Sequence, residues 1–130
     1  MRALCNMNPA ILLDEAGTKP FLAGGASGGR RILAAVYQLL AFCADFKMSP
    51  EDAAHHPRID VSGPEGVTAD NRLDAETLAA LGAETPMTVV EHAVLPVNFA
   101  CPNVIVAGPD GVATGISDAM SPWSAALANT

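Results

Sequence analysis

Apolar and polar positions alternate along this chain in short blocks. Ala10-Ile11-Leu12-Leu13 and Pro20-Phe21-Leu22-Ala23 are brief apolar runs around the polar insert Asp14-Glu15-Ala16-Gly17-Thr18-Lys19, whose length and composition suit a hairpin. They predict two paired antiparallel strands ending in a glycine-rich turn, Gly24-Gly25-Ala26-Ser27-Gly28-Gly29. Residues 30–46 then predict a helix that is apolar on almost every side. Such a helix must be covered all round and is expected between layers.

Lys47-Met48-Ser49-Pro50-Glu51-Asp52 restarts a helix, with Ser49 as N-cap, Pro50 at the first position and two carboxylates in the first turn. It is short and ends near His56-Pro57. Arg58-Ile59-Asp60-Val61 and Gly66-Val67-Thr68-Ala69 read as brief strands. Residues 73–81 read as an amphipathic helix, with Asp74 as cap, Leu78 and Leu81 on one face and Gly82 as terminator. Met87-Thr88-Val89-Val90-Glu91 and Asn103-Val104-Ile105-Val106-Ala107 are strand-like, and the second passes through Gly108-Pro109-Asp110-Gly111 into Val112-Ala113-Thr114-Gly115-Ile116, the clearest hairpin of the chain. Strands joined by short turns and covered by helices predict an α+β layer architecture with a mostly antiparallel sheet.

Composition narrows the chemistry. Half of the 130 residues are hydrophobic but only 5% are aromatic, so the core must be built from Ala, Leu, Val and Ile. The formal charge of −7 argues against a nucleic-acid partner, since little is present to neutralise phosphates. No segment approaches the ~18 apolar residues of a membrane span, and the residues after Met1 are too polar for a signal peptide. Membrane partners are therefore not expected. Cys5, Cys43 and Cys101 are odd in number and widely spaced, which suits reduced thiols better than disulfides or zinc. His55, His56 and His92 have no metal-ligand spacing, so neither metal nor cofactor is expected.

The glycine cluster carries the candidate chemistry. Glycine lets several backbone N–H groups converge on one oxygen without interference from a Cβ, and a helix N-terminus adds its unpaired donors. An anion, or an oxygen becoming one, is the natural guest; a plain strand-to-helix turn is the competing reading. Arg30-Arg31 after the glycines departs from a phosphate-binding loop, and Ala26 stands where a dinucleotide fingerprint needs glycine. Gly25-Ala26-Ser27-Gly28-Gly29 literally satisfies G-x-S-x-G, which makes a serine hydrolase using Ser27 a further candidate. Cys5 as a nucleophile lacks an adjacent base. Asp110 is expected to bond its own turn, Ser117-Asp118 to cap the turn after it, and Trp123 to pack the tail onto the body.

Met7-Asn8-Pro9, Ser27-Gly28-Gly29-Arg30-Arg31-Ile32, Met48 with Ala53, Pro57-Arg58, Gly108-Pro109-Asp110-Gly111 and Gly115-Ile116-Ser117-Asp118 together span nearly all of residues 1–130. In their order and spacing they resemble the C-terminal part of the small subunit of the γ-glutamyltranspeptidases. The resemblance implies an N-terminal-nucleophile hydrolase, with the sheet and its helices forming part of an αββα sandwich made when a precursor cleaves itself. It implies that Gly28 and Gly29 are the backbone oxyanion-hole donors for attack on a γ-glutamyl carbonyl of glutathione-type substrates. It also places Cys5-Asn6 where the family has a Ser-Ser pair for the substrate α-carboxylate.

The family's threonine nucleophile, in its Thr-His-x-Ser/Thr context, has no counterpart in residues 1–130, and Met120 stands where the family's Ser-Asp-x-Arg has arginine. The expectation is a single domain, the C-terminal portion of a small subunit, inactive alone and completed by a missing portion before it binds a γ-glutamyl substrate. A homodimer or a companion subunit is expected to cover its open layer; a non-catalytic dimerising or partner-binding module of the same fold is the alternative. Bacterial relatives are often periplasmic or secreted, and the chain itself carries no address of that kind.

Overall fold

A computed structural model describes residues 7–94, 98–108 and 110–127. Strands β1 (Ala10–Leu13) and β2 (Pro20–Ser27) form the predicted hairpin. Its turn is held by the Asp14 carboxylate, which accepts the Thr18 N–H at 2.7 Å and the Lys19 N–H at 3.2 Å. Proline is tolerated as the first residue of β2, where no ladder donor is needed. The strand runs further than its apolar stretch: Gly24, Gly25, Ala26 and Ser27 pair with Val104, Asn103, Pro102 and Cys101. Much of the predicted glycine turn is thus ladder, and the bend starts only at Gly28.

The first half of the cluster is ladder because β6 pairs with β2 as far as Ser27. A Cβ on Gly24 would lie 3.4 Å from the Asn103 carbonyl and 3.7 Å from a methyl of Leu39 on the covering helix, which is ordinary van der Waals contact, so packing does not demand glycine there. That helix is α1 (Ile32–Ala44), entered through a 3-10 turn at Gly29–Arg31. Ile32, Ala35, Val36, Leu39 and Cys43 lie on the buried face of α1, at the spacing of one helical face.

The opposite side departs from expectation. Leu33 is 65% exposed and Tyr37 71%. Among the described residues only one flank of α1 is covered, because the sheet supplies one layer and no second layer lies over the helix.

Helix α2 (Pro50–His55) crosses the same face as α1, capped by Ser49, whose hydroxyl accepts the Asp52 N–H at 3.0 Å. The strands after it are β3 (Ile59–Asp60), β4 (Val67–Asp70), β5 (Met87–Val90), β6 (Cys101–Ala107) and β7 (Ala113–Ser117). Of these, β6 and β7 join the first hairpin in an antiparallel sheet of order β1-β2-β6-β7. Leu22, Leu39, Cys43, Ala53 and Val104 make one core cluster between helices and sheet; Ile32, Ala35, Val36 and Ala100 make the other. The far face of this sheet carries Ile11, Ala23, Gly25, Ile105, Ala113 and Gly115, which line an apolar groove of about 700 Å³.

A second sheet has the order β3-β4-β5. Its β4/β5 pair is parallel, because α3 (Ala75–Glu84) crosses between the two strands and returns the chain in the same direction. Asp74 caps α3 as predicted, accepting the Thr77 N–H at 2.8 Å. Gly82 does not end it; the helix continues to Glu84. The stop comes from Pro86, which forces the preceding Thr85 into an extended conformation.

The core cluster sets a stability expectation. Leu22→Ala empties a fully buried site between α1 and β6, and should lower unfolding free energy by about 2–5 kcal/mol in urea titrations followed by circular dichroism.

Candidate functional site

At the end of β2 the backbone turns through two positive-φ glycines, Gly28 at 144° and Gly29 at 63°. A Cβ on Gly28 would sit 2.7 Å from both Cα and Cβ of Ala100, whereas Gly29 has nothing within 4 Å of that position. Gly28 is therefore required by both its φ and a close approach, and Gly29 faces open space. The Gly28 carbonyl accepts the Arg31 N–H at 3.3 Å, and the Gly29 carbonyl accepts the Ile32 N–H. Among the described residues the Gly28 and Gly29 N–H groups have no hydrogen-bond partner. Two donors ahead of a helix N-terminus, uncommitted to sheet or helix ladders, can receive an anionic oxygen.

The other sequence candidates separate from this turn. Cys5 and Asn6 lie outside the described residues. Ser27 is the last residue of β2 and pairs with Cys101. Among the described residues, the one non-glycine with positive φ is Lys47, so Ser27 lacks the strained backbone of a nucleophile elbow, and its hydroxyl bonds neither histidine nor carboxylate there. Asp110 stays in its turn, accepting the Val112 N–H at 3.0 Å. Trp123 does not anchor the tail: it is 82% exposed, while turns at Ser121 and Ser124 are closed by backbone bonds that leave the indole outside. His56 packs its ring on Phe42 at 4.6 Å. Among the described residues no three His, Cys, Asp or Glu side chains converge as metal ligands.

Sequence reasoning missed a buried charge network at the same end of the four-stranded sheet as the turn. Arg58 and Asp118, 3% and 2% exposed, form an ion pair through Nη2 and Oδ2. Arg58 Nη1 also donates to the Ala54 carbonyl at 3.0 Å, tying the pair to α2. His92 lies between Asp118 and Asp70, with Nε2 3.7 Å from Asp118 Oδ1 and Nδ1 3.8 Å from Asp70 Oδ2. Arg72 donates its Nε to Asp70 Oδ1 at 3.0 Å and brings Nη2 within 3.2 Å of His92 Nδ1. The imidazole rests edge-on against Phe99 at 5.3 Å. Asp118 also performs the predicted cap, accepting the Met120 N–H at 2.7 Å. Pro57-Arg58 and Ser117-Asp118 were both visible as motifs, but nothing local links groups 60 residues apart.

Burial, reinforced by the Arg58 charge, holds the His92 imidazolium below its ordinary range. Burial alone would push the Asp70 carboxyl up, but the hydrogen bonds and charge of Arg72 together outweigh it and hold Asp70 low. Burial also raises the Cys101 thiol, with Asp118 adding to the shift. At neutral pH the network therefore contains neutral His92 among two carboxylates and two guanidinium groups.

Comparison with known proteins gives a consistent picture. The family model for gamma-glutamyltranspeptidase matches residues 1–127. A glutathione hydrolase proenzyme from Escherichia coli K12 is 27% identical over 121 residues, 92% of this chain but 20% of that protein. The crystal structure of the T380A mutant of Helicobacter pylori gamma-glutamyltranspeptidase superposes with a TM-score of 0.75 at 26% identity, covering 93% of this chain and 64% of the other. An acivicin-inhibited gamma-glutamyltranspeptidase gives 0.77 at 26% identity, covering 95% and 64%. This chain thus spans about one fifth of the curated relative it matches.

The depressed His92 pKa makes stability acid-sensitive. Below its ordinary value of 6.5, the unfolded chain takes up a proton that the folded chain refuses. Stability is therefore present above that pH and falls as pH drops, by at most about 1.4 kcal/mol per pH unit for one proton. Asp70 adds loss of the same sign only below its ordinary 3.8. Urea midpoints at pH 7.5 and about 5.5 should differ for the unaltered chain, and that difference should shrink in His92→Gln.

Proposed function

The chain belongs to the γ-glutamyltranspeptidase family, and we propose that its turn at Gly28 and Gly29 is the oxyanion hole for γ-glutamyl transfer or hydrolysis. The observation carrying this reading is the pair of uncommitted N–H groups on adjacent positive-φ glycines, one wedged on Ala100 and one open to solvent. Attack on a γ-glutamyl carbonyl places negative charge on its oxygen. Donors fixed before the reaction stabilise that charge without reorganising, an effect of about 3–4 kcal/mol for a single donor. Collapse of that tetrahedral centre expels the leaving amine and leaves the γ-glutamyl group on the nucleophile; water or an acceptor amine then attacks the same carbonyl, and collapse of the second tetrahedral centre releases the product and the nucleophile.

The nucleophile is supplied from elsewhere. Residues 1–130 contain no Thr-His-x-Ser/Thr run, and the chain covers only a fifth of the curated relative. In this reading it is the C-terminal portion of a small subunit, a single domain without turnover by itself. Glutathione-type substrates reach it once the companion portion is present. Asn6 is proposed to donate its side-chain amide to the substrate α-carboxylate; Cys5 beside it is a weaker donor.

The uncharged outer face of the four-stranded sheet, with Ile11 and Ile105 exposed, supports a partner layer contributed by a companion chain or by a second copy. The same face supports the alternative of a non-catalytic dimerising module. The serine-hydrolase reading is not favoured, because Ser27 lies in the β2 ladder and its hydroxyl bonds neither histidine nor carboxylate among the described residues.

Two measurements test this. The chain alone should release no aniline from a γ-glutamyl anilide; joined to a companion chain carrying the Thr-His-x-Ser/Thr segment it should do so, with Gly28→Ala reducing kcat by about 100-fold or more and Ser27→Ala leaving it unchanged. Turnover lost in a folded Ser27→Ala variant would replace the oxyanion reading with the serine hydrolase. Light scattering should find the chain associated, and Ile105→Lys, on the open sheet face, should return it to a monomer.

A further inference from the structure

The buried ion pair and the glycine turn lie at the same end of the four-stranded sheet, and the contacts between them form one continuous path. Gly28 rests on Ala100, so close that no Cβ fits between them. Ala100 is fully buried and leads directly into β6, where Cys101 pairs with Ser27. One residue on, the Pro102 carbonyl accepts the Asp118 N–H at 2.9 Å. Asn103 pairs with Ser117. One residue before Ala100, Phe99 is fully buried against His92. The segment 99–102 that seats Gly28 is therefore gripped by His92 on one side and Asp118 on the other.

Asp118 is itself held from two directions. Its Oδ1 accepts the Met120 N–H and its Oδ2 pairs with Arg58. Arg58 is anchored through its second amino group on the Ala54 carbonyl near the end of α2. A guanidinium can serve both partners at once from a fixed fork, which a lysine ammonium reproduces poorly. Burying two charges brings little net stability when their desolvation is counted, and in some proteins such groups serve instead to fix one geometry.

We infer that the Arg58/Asp118 pair is the positioning device of the Gly28/Gly29 turn, acting through Pro102 and Ala100 to set where the two N–H groups point. Neither side chain bonds to the turn itself, so both are positioning residues rather than catalytic ones. The inference takes its purpose from the oxyanion reading, because a site of that kind must be held within about 0.5 Å of its productive geometry. The path of contacts stands apart from that reading.

The test is a set of ¹H–¹⁵N spectra of the full chain, Asp118→Asn and Arg58→Lys, each recorded without and with saturating sodium acetate as the anion probe. Gly17 and Gly111, in the hairpin turns at the opposite end of the sheet, report on the fold at large. The expected result is that both substitutions shift the Gly28 and Gly29 amides, leave Gly17 and Gly111 in place, and abolish the acetate-induced shift seen in the unaltered chain. If the turn amides stay put, or all four glycines move together, the pair is merely structural and the inference falls. Turn amides that move in the variants but ignore acetate in the unaltered chain uphold the positioning path and sink the oxyanion reading. Acetate shifts that persist unchanged in both variants do the reverse. Should Asp118→Asn fail to fold, Arg58→Lys, which keeps the charge, decides between these outcomes.

Discussion

The buried ion pair between Arg58 and Asp118 joins groups 60 residues apart in the chain. Arg58 precedes the short strand β3, and Asp118 comes directly after β7; their pairing fastens the three-stranded sheet to the end of the four-stranded one. Both are nearly inaccessible to water, so removing either partner would strand the other charge in the interior at a cost of about 3–5 kcal/mol. Around the pair, His92 stays neutral and Arg72 neutralises Asp70, so the carboxylates of Asp70 and Asp118 each lie beside a guanidinium. That balance lets four ionisable groups of the network be buried together.

The glycines of one glycine-rich word in the sequence are not equivalent. At Gly24, within β2, a Cβ would make only ordinary contacts with Asn103 and Leu39. At Gly28, just past β2, glycine permits a left-handed bend and direct contact with Ala100. The first position tolerates a side chain and the second does not. The distinction arises because β6 stays paired with β2 as far as Ser27 and Cys101, which converts the first half of the cluster into sheet and leaves only the second half free to turn.

The layers explain the surface. Helices α1 and α2 cover one face of the four-stranded sheet, and the other face carries an apolar groove that the tail residues Ala125, Ala126 and Leu127 line from one side while Ile11 and Ile105 stay exposed. The outward side of α1 is likewise uncovered at Leu33 and Tyr37. These two apolar surfaces belong to a chain that spans one fifth of its curated relative.

Local rules reached a good part of this fold. The Asp14 turn, the Ser49 and Asp74 caps, the β6/β7 hairpin and the short strands β3 and β4 were all legible from residues within a few positions of one another, because turn and cap bonds close over such distances. A glycine turn before α1 was legible too, although the bend occupies only Gly28 and Gly29 of the stretch expected to form it. Where a local sign had a stronger neighbour it misled: Gly82 resembled a helix stop, but Pro86 was the residue that enforced one. What the sequence could not disclose was contact between distant groups. The seating of Gly28 on Ala100, the meeting of Arg58 with Asp118 and the enclosure of His92 between two aspartates depend on which strand ends the sheets bring together. Residue identity determined the elements and the donors of the turn; tertiary packing alone decided what those donors rest on, because burial and ion pairing are properties of the assembled layers rather than of any stretch of chain.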